Sequence, residues 1–309
     1  MTTIGYIIDP VDSLKEKKDS TIEMMREAAR RGYQNKVASA DSVMFDGKEV
    51  VATWQTIEVH DDKNWYVITE TIVDGFDDMD VVLVRKDPPF DAQYLYTTLL
   101  LSRLPEEVRV INCPEALRNH NEKLALLEFL DFSPEVFVTL DRNKIDQLID
   151  ALGDVIIKPL HGMGGEGIFR VRSDDPNRYV IVDLSTKMGK QRIMIQRYLP
   201  EITQGDKRVL VINGQPIDYS LARIPQSGDV RANLAAGGQG VAMSLTDRER
   251  EIAIKVGQKL VHRGLYLIGL DIIGGRLTEI NVTSPTCFVE IRQQTGFNVA
   301  GHFWDQLGL

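Results

Sequence analysis

Val155-Ile156-Ile157-Lys158-Pro159-Leu160-His161-Gly162-Met163-Gly164-Gly165-Glu166-Gly167-Ile168-Phe169-Arg170-Val171 is the stretch from which the rest of the chain can be read. Short apolar, β-branched runs at 155–158 and 168–171 have the make-up of buried strands. Between them, glycine occupies four of the six positions 162–167, which lets backbone N–H groups turn toward an anion without side-chain interference. No Gly-Lys-Ser/Thr follows, so the strand–loop–helix phosphate loop is excluded. A glycine flap between two strands, as over the nucleotide of protein kinases, is the closer analogue. Glycines alone are equally compatible with a mobile hairpin. Lys158 decides between them, because an ammonium group closing an apolar strand needs an anionic partner.

Working outward, a second hairpin reads Asp271-Ile272-Ile273-Gly274-Gly275-Arg276-Leu277-Thr278-Glu279-Ile280-Asn281. Glu279 and Asn281, two apart on a strand, share a face. Hard oxygen donors of this kind suit Mg2+ bridging phosphate oxygens. A two-residue Gly274-Gly275 turn pairs Asp271 with Thr278 and sends Glu279 to the other face. A longer loop or a bulge pairs Asp271 with Glu279 and gathers all three oxygens, and this second register is the one expected. The alternative is a solvated hairpin with scattered acids. Arg85 follows an apolar run at 81–84, where ligands of open α/β sheets bind, and opens a stiff segment through Pro88-Pro89. Arg208, Arg223 and Arg231 flank or lie within a glycine-rich stretch, and a guanidinium fork suits carboxylates and phosphates. Any one of these is ordinarily a surface charge, but their coincidence with the flap and the carboxylate hairpin points to phosphoryl chemistry.

The 309 residues suggest about two domains by the usual length prior. Hydrophobic residues at 43% and charged residues at 26% are ordinary globular usage. With 36 Lys and Arg against 45 Asp and Glu, the net charge is −9, which argues against nucleic-acid coating or polybasic membrane binding. Cys113 and Cys287 lack CxxC spacing, and HxxxH and GxSxG are absent, so disulfide scaffolds, zinc hydrolysis and serine hydrolysis have no foothold. The opening MTTIGYIIDP lacks a basic segment ahead of its apolar run, and no apolar run approaches membrane length; a soluble, cytoplasmic protein is expected.

Strand 4–8, a capping box at Ser20-Thr21-Ile22-Glu23, helix 21–31 and strands at 81–84 and 108–112 predict a parallel α/β unit, with hairpins over 35–75. A helix is expected over 115–130 and a boundary near 120–135. Beyond it come helix 142–152, a strand at 192–198 and a hairpin turning at Asn213-Gly214. Helix 246–264 opens at Thr246-Asp247-Arg248-Glu249, so the second half reads as α+β. The polar stretch 225–243 fits no regular element and is expected to be a functional loop.

Together these motifs resemble those of the bacterial glutathione synthetases, of the ATP-grasp ligase fold. The resemblance covers essentially the whole chain. It rests on Arg85-Lys86-Asp87-Pro88-Pro89-Phe90-Asp91, Asn121-Glu122-Lys123-Leu124, the flap from Lys158, Gly205-Asp206-Lys207-Arg208, Ala222-Arg223-Ile224-Pro225-Gln226, the stretch 231–238, Gly269-Leu270-Asp271, and Glu279-Ile280-Asn281-Val282-Thr283-Ser284-Pro285-Thr286. His161 and Glu166 stand where the family usually has Asp and a smaller residue, which bears on the flap rather than on the reaction.

The resemblance implies a Rossmann-like, pre-ATP-grasp N-terminal parallel-sheet domain (1–122). Two α+β ATP-grasp subdomains follow, 123–200 with the flap and 201–309 with the metal site. It implies ATP-driven joining of γ-glutamylcysteine to glycine through an acyl phosphate. Lys123, Lys158, Gly162, Gly164, Gly165 and Gly167 would hold the phosphates. Gln196, Tyr198 and Leu199 would line the adenine slot, with Asp206 near the ribose. Asp271, Glu279 and Asn281 would bind two Mg2+ ions, with Mn2+ as the alternative. Arg208, Arg223 and Arg231 would stabilise the transferring phosphoryl group. Arg85, Ser284, Pro285, Thr286 and Asn281 would hold the dipeptide, with 225–241 as a lid. A homo-oligomer, a tetramer, is implied; no nucleic-acid or membrane partner is. The rival from the same fold is another carboxylate–amine ligase such as a D-alanine ligase, separated only by Arg85 and 284–286.

Overall fold

The computed structural model describes residues 1–61, 64–226 and 237–309. Its N-terminal sheet is built from β1 (Thr3–Ile8), β2 (Gln34–Ser39), β3 (Met44–Phe45), β4 (Val50–Val59), β5 (Tyr66–Asp74), β6 (Val81–Val84) and β7 (Arg109–Ile111). β2, β1, β6 and β7 run parallel, and β4 adds antiparallel to β2 and carries β5 as its hairpin partner. Every residue of β1 and β6 is buried, as parallel strands covered on both faces require. Helix α1 (Ser20–Arg30) covers one side, and α2 (Ala92–Leu101) with α3 (Pro114–Asn119) follows the last parallel strands. The capping box expected at Ser20 is not used. Asp19 is the N-cap, accepting from the amides of Thr21 and Ile22, because the Ser20 hydroxyl instead accepts from Phe288 N at 3.2 Å.

A second correction concerns 115–130. The helix ends at Asn119, and two short 3-10 turns, Leu124–Glu128 and Leu130–Phe132, replace the expected continuation. Asn121 Oδ1 accepts from the amides of Lys123 (3.1 Å) and Leu124 (3.0 Å), a local cap that competes with helix propagation.

The central sheet holds β8 (Val136–Thr139), β9 (Asp154–Pro159), β10 (Phe169–Arg172) and β11 (Ile193–Arg197) in the order β10-β9-β11-β8, all antiparallel. With α4 (Arg142–Leu152) and α5 (Arg178–Ser185) it closes a core of its own around Ile145, Ile149, Val155, Ile157, Ile193 and Ile195. The third sheet orders β14 (Gln239–Ser244), β13 (Gln215–Ile224), β12 (Asp206–Ile212), β15 (Leu267–Ile273) and β16 (Arg276–Asn281). Part of the stretch expected to be irregular therefore is a strand: β14 pairs along β13, while 227–236, including Arg231, lies outside the described residues.

Unlike the central sheet, the third shares its core with the N-terminal one. Val209, Val211 and Leu270 pack in one cluster with Ile7 and Val82, and Leu210 and Leu267 in another with Ile4 and Tyr6. Helices α7 (Phe288–Thr295) and α8 (Val299–Leu307) close against α1, where Trp304 Nε1 donates to Met24 O at 3.1 Å.

Helix α6 (Asp247–Val261) carries the expected reciprocal capping box between Thr246 and Glu249. Thr246→Ala should lower stability by about 1 kcal/mol, seen as a fall of roughly 2–4 °C in melting temperature. An unchanged melting curve would show that tertiary packing alone holds this helix end.

Candidate active site

The site begins with how β15 meets β16. Ile273 lies opposite Arg276 across the Gly274-Gly275 turn, so the loop is the short one. A bulge after Asp271 then takes up Thr278, placing Asp271 opposite Glu279 and Gly269 opposite Asn281. Thr278 Oγ1 fastens the bulge by donating to Asp271 O at 3.1 Å, and Gln196 Nε2 reaches across from β11 to Thr278 O at 3.3 Å. The three oxygen-bearing side chains thus share a face, in the register expected from the sequence.

Sheet register also sets their neighbours. Arg208 on β12 lies opposite Asp271, and Arg223 on β13 lies opposite Asp206. Arg208 grips Asp271 with two nitrogens, Nε to Oδ1 at 2.5 Å and Nη2 to Oδ2 at 3.1 Å. Arg223 Nη2 stands 2.9 Å from Asp271 Oδ2 and 2.6 Å from Asp206 Oδ2. All are largely buried, Asp271 at 3% exposure and Arg223 at 4%. Burial pushes the Asp271 carboxyl up, but Arg208 and Arg223 outweigh it and hold it well below the usual carboxylate range. At Asp206 burial wins, with only partial relief from Arg223, and its carboxyl is pushed up to about 6. Gly269 permits the close approach, since a Cβ there would stand 2.9 Å from Arg208 Cδ and 3.0 Å from Pro285 Cβ.

Beside this cluster, Lys123 Nζ lies 3.2 Å from Glu279 Oε1 and 3.5 Å from Gly162 O. Burial lowers the Lys123 ammonium, but Glu279 and then Glu122 prevail and raise it. Lys158 is 8% exposed, and among the described residues no carboxylate lies within 4 Å of its Nζ. Burial consequently depresses it. The flap glycines 162, 164, 165 and 167 all take positive φ, between 67° and 111°, which other residues adopt only with strain. The glycine run is therefore a backbone requirement of the loop.

These groups open onto one cavity of about 640 Å³ between the central and third sheets and the carboxyl end of β6. One part is apolar, lined by Ile156, Ile168, Leu199, Ile202 and Ile273 with Gln196 and Tyr198. Arg170 stacks 3.6 Å from the Tyr198 ring centroid. Elsewhere Arg85 Nε donates to Thr21 Oγ1 (3.2 Å) and Nη2 to Pro285 O (3.0 Å), leaving Nη1 buried without a partner. Ser284 donates to Asp87, and Thr286 completes that wall.

Of the residues singled out from sequence, Arg85, Lys123, Lys158, Gly162, Gly164, Gly165, Gln196, Tyr198, Leu199, Asp206, Arg208, Arg223, Asp271, Glu279, Asn281, Ser284 and Thr286 line this cavity. Gly167 and Pro285 are not among its lining residues: a Cβ on Gly167 would meet the Pro159 ring, and Pro285 contributes its carbonyl to Arg85. From sequence, Glu122 stands only as part of the Asn121-Glu122-Lys123-Leu124 stretch, with no role of its own. Its Oε1 accepts from Val282 N (3.0 Å), Thr283 N (3.2 Å) and Thr283 Oγ1 (2.8 Å), tying the segment that carries Lys123 to the one that carries Ser284. An acid beside Lys123 was the only signal for it. Thr21, Cys287 and Glu290 were also missed and also line the cavity.

Among the described residues no three His, Cys, Asp and Glu side chains form a ligand set. Two carboxylates and an amide oxygen, leaving places for water and phosphate oxygens, nevertheless fit the way Mg2+ is held in nucleotide sites.

Residues 2–118 match the N-terminal domain of prokaryotic glutathione synthetase, and residues 122–296 match its ATP-grasp domain. The glutathione synthetase of Shewanella oneidensis is 45% identical over 99% of this chain and 98% of its own length. That of Nitrosomonas europaea is 48% identical over 98% and 97%. Among solved structures, D-cycloserine synthetase DcsG superposes with a TM-score of 0.69 at 14% identity, covering 98% of each chain. The ATP-grasp ligase PsnB, complexed with a minimal precursor, Mg and ADP, superposes at 0.62 and 19% identity, covering 98% of this chain and 96% of its own. These two attest the fold alone. With both domain matches and relatives of this identity over nearly full length, the chain belongs to the prokaryotic glutathione synthetase family and is an ATP-grasp carbon–nitrogen ligase.

Proposed function

We propose that the cavity joins γ-glutamylcysteine to glycine with cleavage of ATP to ADP and phosphate. The observation that carries this reading is the pair of buried cations, Lys158 and Arg85, that line the cavity without a described carboxylate in ion-pair reach. A buried charge without a counter-ion is costly, so each calls for an anionic ligand. A nucleotide and a dipeptide supply both.

In this reading the apolar part around Ile156 and Ile202 takes the adenine, with Gln196, Tyr198 and Leu199 at its edge and Asp206 toward the ribose. Lys123 and Lys158 hold the phosphates beneath the flap of Gly162, Gly164, Gly165 and Gly167. Asp271, Glu279 and Asn281 hold Mg2+, which when bound neutralises phosphate charge; two ions is the number expected, and Mn2+ would fit the same donors. The cysteinyl carboxylate attacks the γ-phosphate in line, and Arg208 and Arg223 offset the charge of the two anions brought together. The glycine amine then displaces phosphate from the acyl phosphate. There the same guanidiniums face the oxyanion of the tetrahedral intermediate. Arg231, outside the described residues, is assigned by family resemblance to the same role. Arg85, Ser284, Thr286 and Asn281, with the Pro285 backbone, hold the dipeptide.

We also propose that 1–122, 123–200 and 201–309 are the functional units, in line with the separate core of the central sheet. Unpaired Cys113 and Cys287 accord with a reducing, cytoplasmic setting. The exposed apolar side chains of edge strand β5, Val67, Ile68, Ile72 and Val73, accord with the homo-oligomer, a tetramer, that the family resemblance implies.

The test is ATP-dependent phosphate release. γ-Glutamylcysteine with glycine should give stoichiometric ADP, phosphate and tripeptide, whereas D-alanine alone should give none. Release with D-alanine and not with the dipeptide would replace this reading by a D-alanine ligase.

A further inference from the structure

The apolar part of the cavity rests on one face of the central sheet, and a charged side chain at the outer end of that face has no part in the chemistry so far described. Ile156 on β9 lies opposite Gln196 on β11 and opposite Arg170 on β10. Residues directly opposite one another project from the same face. Val155, Ile157 and Ile195 fill the core on the other face, while Ile156 and Gln196 line the cavity. Arg170 therefore stands on the cavity side, two positions beyond Ile168, although it is not itself a lining residue. Its Cζ lies 3.6 Å from the centroid of the Tyr198 ring, a separation that only a position over the ring face allows. Asp154 fixes the guanidinium there, with Nε donating to Oδ1 at 3.0 Å and Nη2 to Oδ2 at 2.6 Å. The backbone oxygen of the same Asp154 accepts from Tyr198 N at 3.1 Å. Asp154 thus holds Tyr198 twice, directly by its main chain and through Arg170 by its ring.

Such a pair contributes little to the sheet itself. Its side chains are 26% and 31% exposed, and ion pairs of that exposure add at most about 1 kcal/mol. What it fixes is the direction of Tyr198 and of Leu199 after it, both of which line the cavity with Gln196. The reading of the reaction given above, on which this inference rests, sets the adenine against these three residues. We propose that Arg170 is a positioning residue that holds the Tyr198-Leu199 segment against the edge of the base and thereby sets the preference for adenine over other purines. Purines share their apolar faces and differ at their edges, where an oxo group in place of the 6-amino group exchanges acceptor for donor. Reading that difference requires a wall held to within about 0.5 Å, whereas apolar contact tolerates a looser one. Lys123 and Lys158, assigned to the phosphates, serve every nucleoside triphosphate alike.

The experiment compares ATP with inosine triphosphate on the wild type, Arg170→Met and Asp154→Asn, with γ-glutamylcysteine and glycine saturating. In Arg170→Met, kcat/KM for ATP should fall by about 5- to 10-fold, through KM, the size expected for loss of one guanidinium–ring stack. For inosine triphosphate it should stay within about twofold, as should kcat and KM for the dipeptide. Asp154→Asn should do the same, and the double variant should be no worse than either single one, because the two residues act as a unit. Calorimetry gives a readout independent of ligation: ADP affinity should fall by the same factor and inosine diphosphate affinity should hold within about twofold. Arg170→Lys keeps a cation for Asp154 without the plane over Tyr198, and it should not restore the preference. This variant decides the matter should Arg170→Met fail to melt cooperatively. An equal loss with both nucleotides, a fall in kcat at unchanged KM, full preference in Arg170→Lys, or a wild type that does not distinguish the two bases would overturn the proposal. A wild type that prefers ADP to inosine diphosphate yet makes no tripeptide would instead overturn the reading of the reaction.

Discussion

An Arg223→Ala enzyme is expected to turn over on the order of 10³-fold more slowly than the wild type while binding ATP within about threefold. The guanidinium is buried between Asp206 and Asp271 and lines the cavity. Its donors are fixed before any substrate arrives, so little reorganisation accompanies the appearance of charge during transfer. In the proposed reading nucleotide binding rests on other groups, the flap, Lys123 and Lys158, and should survive. So should the fold. Asp271 keeps both contacts to Arg208, and Asp206, with its carboxyl already raised to about 6, takes up a proton near neutrality once its cation is gone. Measuring kcat and KM for each substrate, with nucleotide affinity by calorimetry, separates these effects. Turnover retained within about threefold would remove Arg223 from the chemistry, and a parallel loss of ATP affinity would reassign it to binding.

The carboxylate hairpin could be placed from sequence because its logic is local. A face alternation of two residues and a double-glycine turn leave only two registers, and only one gathers the oxygens. Which device selects that register was not legible: the bulge at Thr278 depends on a hydroxyl bond back to Asp271 and on Gln196, 82 positions away. The flap was readable for the same reason as the hairpin, since positive φ at four positions is written as glycine. The failures are tertiary. Ser20 loses the cap to Asp19 because Phe288 claims its hydroxyl. Helix 115–130 breaks where Asn121 caps the next turn and Glu122 and Lys123 turn toward the cavity, binding 282–283 and Glu279. Apolar periodicity continues through that break, so pattern alone extends the helix. Glu290 is half-buried in a short amphipathic helix where an acid in the first turn is ordinary; only its buried, unpartnered Oε2 marks it.

Asp271→Asn tests the opposite member of the charged cluster, and its effect should appear in stability as well as rate. The wild-type side chain neutralises two buried guanidiniums at once. The amide keeps the shape but removes the charge, leaving Arg208 and Arg223 to repel each other with only Asp206 between them. Breaking a buried ion pair by removing one partner costs about 3–5 kcal/mol, which predicts a fall in melting temperature of roughly 6–12 °C. The pH dependence follows from the direction of the shift. A carboxyl whose folded pKa lies below its ordinary 3.8 stabilises the fold above that value, and the contribution is lost as pH falls through the folded pKa. Asp271's own contribution to the gap should therefore be constant from about pH 5 to 8 and be lost only below about pH 4, and Asp206, whose carboxyl Asp271 helps to hold up at about 6, adds a change near pH 6. Turnover should drop on the order of 10³-fold, because the variant loses the oxygen donor proposed for Mg2+ together with the anchor that aims both arginines. High Mg2+ should recover part of that rate without moving the melting temperature, since it compensates for the donor and not for the repulsion. A variant that melts with the wild type across this pH range would mean that Arg208 and Arg223 are neutralised elsewhere, and the cluster would lose its place as the electrostatic centre of the site.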